Sequence, residues 1–316
     1  MTISVITPSF QQGRFIERTI WSVLNQKKNS IDYDIEYFVI DGGSTDETLA
    51  ILEKYERSLT WISEPDDGQS HAVNKGLAMS TGEIIAWINS DDIYYSHAFA
   101  QVVSFFERNP EARAVYGQAD WISETDSAIS AYPTRAWNYE ELKKECYLCQ
   151  PAVFFRRSMV ERFGDLETRL HYCMDYELWL RYGRMVQFSY LPTKLAGSRI
   201  YATNKTFGCR VAAHREANHM LKAQLGYSTR HWIFEYSRLQ LISDSSLEET
   251  DVVFVAKLLI LSVRNCWKFN RNALIVVILK VIINRMQAKR LKKNLQSNHT
   301  VENLAMESIL LEEDVH

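Results

Sequence analysis

The sequence predicts an α/β protein with a mostly parallel central sheet and a helical C-terminal tail. Three observations favour this fold class. Short apolar segments rich in β-branched residues alternate with helix-like segments through residues 3–95. The segment at 83–89 (EIIAWIN) is apolar on both faces, as expected of a strand buried in a parallel sheet. From residue 251 onward, long apolar runs are interrupted by basic residues, a pattern typical of amphipathic helices.

The spacing of apolar residues predicts the individual elements. Residues 3–7 (ISVIT) form the first predicted strand, and apolar positions between 15 and 24 recur at helical spacing. Ser44 followed by Glu47 is typical of a capping box at the start of the next helix. Further strands are predicted at 37–40, 59–63 and 113–117, and further helices at 70–79 and 97–108.

Length and composition indicate one large folded domain with an appendage. The chain has 316 residues, and we expect 1–95 and 96–225 to form two halves of one domain and 226–316 to form a helical extension. A net charge of −3 provides no broad positive field for nucleic acid. Five cysteines and the start MTISVITPSF favour the cytoplasm. Cys146 and Cys149 form a single C-x-x-C, which falls short of a four-ligand zinc site and favours ordinary thiols.

The tail segment at 251–293 combines apolar runs with basic residues and ends in KRLKK. Neither run reaches the roughly 20 apolar residues that a helix needs to span a bilayer. Two interpretations stay open. The segment forms a pair of helices packed on the domain, or it lies at the cytoplasmic face of a membrane with its basic face held to anionic lipid.

The chemically informative residues follow the predicted strands, because ligands collect at the carboxyl ends of parallel strands. Asp91 and Asp92 come directly after the strand at 83–89, with no basic residue beside them. Two adjacent carboxylates are costly unless a cation joins them. Mg²⁺ or Mn²⁺ typically binds one or two carboxylates together with substrate phosphates. A metal-bridged diphosphate is the simplest interpretation of this pair.

Two other strand ends carry polar side chains. Thr7, Pro8 and Ser9 form a proline turn after the first strand, which by itself is a common surface pattern. Asp41 comes directly after the strand at 37–40 and is placed to accept a hydrogen bond from the N–H edge of uracil, thymine or guanine. Asp46, in the same loop, is better explained as part of a helix N-cap.

Four motifs occur in order along the chain: VITPSF, FVIDGGSTDET, EPDDGQSHAVNKG and GEIIAWINSDD. In this order and spacing they resemble the family 2 glycosyltransferases that act in bacterial polysaccharide synthesis and have the GT-A fold. The resemblance covers residues 1–205. It implies a nucleoside-diphosphate sugar of the UDP, dTDP or GDP type as donor, bound by 1–95. It also implies inverting transfer to a saccharide or a lipid-linked saccharide on the side of 96–225.

The resemblance also implies roles for individual residues. Asp91 and Asp92 take the place of the family's D-x-D motif and contact ribose and metal. Alternatively, Lys75 is a solvated charge on the surface of a helix. His71 and Tyr201 stand where the family has other residues, so no role is carried over to them. The implied donor-binding set comprises Thr7, Pro8, Ser9, Asp41, Asn74, Lys75 and Asp91.

The acceptor side requires a base for the attacking hydroxyl. In the segment at 174–181, Asp175 shares a helical face with apolar residues three and four positions on. The segment resembles the family's acceptor-site signature, which implies that Asp175 is the general base, with a helix N-cap as the alternative. Glu177 and Arg181 have the order of a surface ion pair. The segment Cys149-Gln150-Pro151 also resembles this family, which implies that Gln150 contacts the acceptor.

Other classes fit less well. The turn after the first strand lacks the G-x-G-x-x-G of dinucleotide-binding proteins, and no P-loop motif occurs in the chain. A nucleotidyltransferase is expected to have a basic, glycine-rich loop after that strand. The remaining alternative is a catalytically degenerate sugar-nucleotide-binding or scaffold protein of the same fold.

Overall fold

The computed structural model describes residues 1–27, 31–244, 251–283 and 285–286. Contacts divide the chain into two compact units, 1–217 and 218–316. The nine strands of the described residues all lie in the first unit, in one sheet of order β3-β2-β1-β4-β8-β6-β9-β5, with β7 paired to β6. Strands from both predicted halves, 1–95 and 96–225, therefore share this sheet.

The first half of the sheet is parallel. β1 (Thr2–Ser9) lies between β2 (Asp34–Asp41) and β4 (Ile84–Trp87), and β3 (Thr60–Ser63) pairs with β2. The register places Ser9 beside Asp41 and Asp41 beside Ser63. The carboxyl ends of these strands are thus aligned at one edge, where the polar residues of the sequence motifs begin.

The second half of the sheet mixes directions. β8 (Val153–Arg156) pairs antiparallel with β4 and with β6 (Ala114–Ile122). β6 runs parallel to β9 (Ser189–Arg199), which pairs antiparallel with β5 (Ile93–Tyr94). β7 (Ala128–Ala131) forms a hairpin with β6. The parallel character predicted for the sheet thus belongs to the first four strands along its order.

In the described residues of the first unit, seven helices lie between strands of the sheet, and two more follow β9. They are α1 (Ile16–Leu24), α2 (Thr48–Lys54), α3 (Gln69–Met79), α4 (Ala98–Arg108), α5 (Tyr139–Leu142), α6 (Arg157–Phe163), α7 (Met174–Gly183), α8 (Lys205–Gly208) and α9 (Arg210–Leu225), with a 3₁₀ turn at Gln150–Ala152.

A close approach sets the position of α3 on the sheet. A Cβ atom added to Gly76 would lie 2.5 Å from Cγ2 of Ile6 in β1. Only glycine leaves room for this contact, so α3 packs tightly against β1. The N-terminal end of α3 is thereby held near the carboxyl ends of the parallel strands.

The predicted capping box at Ser44 and Glu47 is wrong. Ser44 Oγ instead accepts a hydrogen bond from the Gln11 backbone N–H at 2.7 Å and donates one to Asp41 at 2.5 Å. Asp46 serves the start of α2, because its Oδ1 accepts from the Thr48 backbone N–H at 3.1 Å. Its Oδ2 also accepts from the backbone N–H of residue 13 at 2.9 Å, so Asp46 ties two loops together.

The unit 218–316 is helical in its described residues. It contains α10 (Arg230–Asp244), α11 (Val252–Phe269), a 3₁₀ turn at Arg271–Ala273 and a helix over 274–283. The Asn265 side chain donates hydrogen bonds to Ser237 Oγ at 2.9 Å and to Gln240 Oε1 at 3.1 Å, which join α11 to α10. No helix of the described residues is long and apolar enough to cross a membrane. The predicted basic run at 289–293 lies outside those residues.

Candidate functional site

A cavity of about 590 Å³ lies at the edge where the parallel strands end. This volume is within the range of small-molecule binding sites, roughly 300–1,000 Å³. Three chain segments that follow strands meet there, together with the start of α3. The wall includes Pro8, Ser9 and Phe10 at and after the end of β1, Asn89 to Asp92 after β4, Ser198, Arg199, Tyr201, Asn204 and Lys205 at and after the end of β9, and Gly68, Gln69 and Ala72 at the start of α3.

The adjacent carboxylates, Asp91 and Asp92, both line this cavity. Burial raises the pKa of Asp91. Burial raises the pKa of Asp92 well above its usual range, and the charge of Asp91 raises it further. Tyr201 donates its hydroxyl proton to Asp91 Oδ2 at 2.8 Å, and the Arg199 backbone N–H donates to Asp92 Oδ1 at 2.8 Å. The pair is thus held in place while its charge is only partly compensated.

Arg199 is a site residue that the sequence reasoning missed. Its side chain is buried, and Nε donates to the Asp91 carbonyl oxygen at 2.6 Å. Nη1 donates to the Ser123 carbonyl oxygen at 2.7 Å, and the guanidinium forms an ion pair with Asp126 at 2.5 Å. It also lies 4.8 Å from the centre of the Phe15 ring. Arg199 thereby fixes the backbone that carries the two carboxylates.

The proline turn predicted at Thr7, Pro8 and Ser9 is wrong, because these residues pair with β2 as the last part of β1, which reaches the cavity only in part. Pro8 and Ser9 line it. Ser9 Oγ is buried and has no hydrogen-bond partner within the described part of the chain. Thr7 lies behind the wall, where its hydroxyl is 3.2 Å from the Tyr37 hydroxyl. Of the two hydroxyl residues Thr7 and Ser9, only Ser9 therefore lies at the cavity wall and lacks a partner among the residues described there.

Asp41 lies beneath the cavity wall and organises the loop after β2. Its Oδ2 accepts from the backbone N–H groups of Gly43 and Ser44 at 3.0 and 2.8 Å and from Ser63 Oγ at 2.7 Å. Its Oδ1 accepts from Ser44 Oγ at 2.5 Å. Gly42, the next residue along the chain, lines the cavity instead. Contact between Asp41 and a nucleobase stays a prediction.

Asn74 and Lys75 lie on α3 outside the cavity wall. The Asn74 side chain donates to the Leu166 carbonyl at 2.9 Å and accepts from the Leu166 N–H at 3.0 Å. Lys75 Nζ forms an ion pair with Glu64 at 2.7 Å. Both side chains are thus engaged with other parts of the protein. Their contact with the donor stays a prediction.

Lys205 is a second wall residue that the sequence reasoning did not select. Its Nζ lies 3.3 Å from Gln69 Oε1, and both residues line the cavity. Lys205 is exposed, but the surrounding protein partly desolvates its amine and lowers its pKa, since desolvation disfavours the ammonium form. The residue falls within the segment SRIYATNKT, but a lone lysine after a strand has no diagnostic pattern. It brings a positive charge to the same wall as Asp91 and Asp92.

Asp175 lies in the first turn of α7, outside the cavity wall. The residue is partly accessible, yet its surroundings are mostly protein, and burial raises its pKa to about 6. The Tyr176 backbone N–H donates to Asp175 Oδ1 at 2.8 Å. Burial raises the pKa of the Cys149 thiol, and the charges of both Asp92 and Asp175 raise it further. That thiol therefore lies near both predicted functional groups.

Gln150 follows Cys149 and is buried. Its Nε2 donates to the Trp87 carbonyl oxygen at 2.6 Å, which anchors it at the end of β4. Its Oε1 is buried and accepts no hydrogen bond from any residue that the structure describes. Cys149 and Cys146 are free thiols.

The ion pair predicted between Glu177 and Arg181 is present, but it is not a surface pair. Glu177 is only 7% exposed, and Arg181 donates to both of its carboxylate oxygens at 2.9 Å. Arg181 also donates to the carbonyl oxygens of Gly164 and Asp165 at 3.1 and 2.6 Å. Arg181 thus ties α7 to the loop that precedes it.

The acidic side chains of the cavity determine whether a divalent cation fits there. Among the described residues, no group of three or more His, Cys, Asp and Glu side chains is placed to hold a metal ion. Asp91 and Asp92 supply two carboxylates, which is the number that Mg²⁺ typically takes from protein when phosphate oxygens and waters complete its shell. The pair therefore fits such a cation together with a bound diphosphate.

The sheet order and the carboxylate-lined cavity define a protein of the GT-A class, which confirms the predicted fold. The Staphylococcus aureus TarS fragment 1–349 in complex with UDP-GlcNAc has a TM-score of 0.60 at 15% identity, over 91% of this chain and 92% of that chain. The mannosyltransferase PcManGT from Pyrobaculum calidifontis, in complex with GDP-Man and Mn²⁺, has a TM-score of 0.53 at 15% identity, over 91% and 87%.

The family follows from the sequence itself. The model of glycosyl transferase family 2 matches residues 4–164, and the chain belongs to this family, as the motifs predicted. One relative is the poly(ribitol-phosphate) beta-N-acetylglucosaminyltransferase TarP of Staphylococcus aureus, 34% identical over 111 residues, which cover 34% of this chain and 33% of TarP. Alignments span 65% or less of the length of the first three curated relatives.

Proposed function

We propose that this chain transfers a sugar from a nucleoside-diphosphate sugar to a hydroxyl group of a saccharide or a lipid-linked saccharide, with inversion at the anomeric carbon. The observation that carries the proposal is the adjacent carboxylates of Asp91 and Asp92, both with raised pKa values, on the wall of a cavity large enough for a nucleotide sugar. Membership in glycosyl transferase family 2 supports the reaction class. UDP-GlcNAc in TarS and GDP-Man in PcManGT support the donor class.

On the donor side, Asp91 and Asp92 would hold Mg²⁺ or Mn²⁺ together with the diphosphate. The cation, when bound, neutralises charge that develops on the departing diphosphate. Ser9 offers an unpartnered hydroxyl and Lys205 an ammonium group on the same wall. Arg199 holds the carboxylates in position, because its backbone N–H donates to the Asp92 carboxylate and its Nε donates to the Asp91 carbonyl oxygen.

On the acceptor side, we assign Asp175 as the general base. The acceptor hydroxyl gives its proton to the Asp175 carboxylate while its oxygen bonds to the anomeric carbon, and the bond from that carbon to the diphosphate oxygen breaks on the opposite face. A pKa of about 6 suits this role, because the group is ionised at neutral pH and still basic enough to accept a proton. Gln150, with its buried and unpartnered Oε1, is the proposed acceptor-side contact.

The first test measures donor binding and needs no knowledge of the acceptor. Calorimetry of the full chain with UDP, dTDP, GDP, ADP and CDP, each with and without Mn²⁺, should detect one nucleotide class with metal-dependent binding. Asp92→Asn should abolish the metal dependence, while Asp67→Asn should leave it unchanged, because the Asp67 side chain is 92% exposed. Absence of binding across the panel by the folded protein would count against the donor site.

The second test separates the donor and base roles. Asp175→Asn should retain nucleotide binding and lose release of the nucleoside diphosphate from the donor. Normal turnover by Asp175→Asn would remove the base assignment. Donor binding by the unmodified chain without turnover on any saccharide acceptor would favour the alternative, a catalytically degenerate sugar-nucleotide-binding protein.

A further inference from the structure

Residues 252–286 expose many large apolar side chains. Ten of these side chains are at least 39% exposed in this segment, whereas the described residues of the unit 1–217 have four large apolar side chains classed as exposed. Single exposed apolar residues are ordinary on a soluble surface, but a dense set marks an interaction surface. The ten are Val252, Val253, Ile260, Trp267, Ile275, Val276, Leu279, Ile282, Ile283 and Met286.

On α11 the exposed residues form one stripe. Along the helix, exposed positions recur every three or four residues, which is the spacing of a single helical face. The buried residues, including Phe254, Leu258 and Cys266, occupy the other side. Asn265 on that side is hydrogen-bonded to α10. The stripe consists of Val253, Ala256, Lys257, Ile260, Arg264, Trp267 and Lys268.

The helix over 274–283 carries a second stripe. Its exposed positions again follow helical spacing and are all apolar, while Val277 and Val281 are buried. We call the two exposed stripes together the basic apolar surface. The second stripe consists of Ile275, Val276, Leu279, Ile282 and Ile283, and Met286 continues it.

The charges of this segment have one sign. No Asp or Glu occurs from 252 to 286, while six Lys and Arg residues do. Lys257, Arg264 and Lys268 lie on the exposed stripe of α11. The Arg271 guanidinium lies 4.6 Å from the centre of the Trp267 ring. Basic groups thus lie directly beside exposed apolar and aromatic groups.

We propose that the basic apolar surface binds the surface of an anionic phospholipid bilayer. Apolar side chains enter the boundary between headgroups and acyl chains, and the basic side chains pair with lipid phosphates. A second copy of this chain is a poorer partner, because the same surface would bring like charges together. The surface lies in the unit 218–316, and the proposal does not depend on the transfer reaction.

The test is sedimentation of the full chain with vesicles of phosphatidylcholine alone or of phosphatidylcholine mixed with phosphatidylglycerol. Binding should require phosphatidylglycerol and weaken with added salt. Arg264→Glu combined with Lys268→Glu should lower the apparent affinity by more than about tenfold, since each basic residue near an anionic surface contributes about fivefold. Equal binding to both vesicle types, or to neither, would overturn the proposal.

A matched pair of double variants tests the apolar contribution. Ile260→Ser with Trp267→Ser removes side chains that are 70% and 58% exposed, and about a tenfold loss of vesicle binding is expected. The control, Ile129→Ser with Trp21→Ser, removes side chains that are 58% and 61% exposed in the other unit and should bind normally. Equal loss by both pairs would refute the surface. So would a dimer in light scattering that only the first pair dissociates.

Discussion

Replacement of Asp175 by asparagine should stabilise the protein at alkaline pH. Burial raises the pKa of Asp175 from 3.8 to about 6, so the folded protein holds this proton more tightly than the unfolded chain does. The ionised carboxylate therefore costs stability, and the cost grows as the pH rises from 3.8 to 6 and is fully present above pH 6. Asparagine removes the charge and keeps an oxygen for the hydrogen bond from Tyr176.

The size of the effect follows from the two pKa values. One unit of pKa corresponds to about 1.4 kcal/mol, so the full cost is about 3 kcal/mol at pH 8. At pH 4 the carboxyl is largely protonated in the folded protein, and the cost falls to about half a kcal/mol. Asp175→Asn should thus raise the free energy of unfolding by up to about 3 kcal/mol at pH 8 and by much less at pH 4.

The assay is urea unfolding followed by tryptophan fluorescence at both pH values. Asp67→Asn, at a side chain that is 92% exposed, serves as the control and should change neither value. A gain for Asp175→Asn that is equal at pH 4 and pH 8 would refute the reasoning, as would a loss at pH 8. A gain at pH 8 together with lost transfer would show a carboxylate retained at the expense of stability.

Three further outcomes are expected. Tyr201→Phe removes a hydrogen bond to Asp91 that lowers the pKa of that carboxyl, so the midpoint of nucleotide binding should shift to higher pH in calorimetry from pH 5 to 8, and an unchanged midpoint would contradict this role of Tyr201. Asn74→Ala removes two hydrogen bonds to a neighbouring loop and should lower the free energy of unfolding by about 1–3 kcal/mol without changing nucleotide affinity. Gly76→Ala forces a methyl group against Ile6 and should cost about 1–3 kcal/mol in urea unfolding; a neutral result would refute the close packing of α3.

The parallel half of the fold could be predicted because its signals are local. The apolar run predicted as a strand at 3–7 forms the centre of β1 (Thr2–Ser9), and the helix predicted at 70–79 forms α3 (Gln69–Met79). The sequence did not predict the strands and pairing of the antiparallel half in detail. β9 (Ser189–Arg199) contains a proline and a lysine and pairs with a strand more than sixty residues earlier, so its pairing depends on tertiary contacts.

The candidate site, too, could be predicted from the sequence only in part. Asp91 and Asp92 were selected because two adjacent carboxylates after a buried strand are unusual, and both line the cavity. Arg199 was missed because its role depends on the approach of β9 to the segment after β4. Asn74 was selected from a motif, yet its hydrogen bonds go to the backbone of Leu166. Sequence spacing indicates which polar residues are unusual, while their partners depend on contacts across the fold.

The carboxylate pair is held by hydrogen bonds from the end of β9 and from Tyr201 beyond it. A short N-terminal fragment therefore does not contain the whole donor site. The family match ends at residue 164, but the backbone donor to Asp92 is Arg199 and the hydroxyl donor to Asp91 is Tyr201. A fragment that stops at 164 would keep the four parallel strands and lose both donors. Chimeras that exchange this site between family members must therefore cross over beyond Tyr201, so the segment to be exchanged is longer than the four sequence motifs suggest.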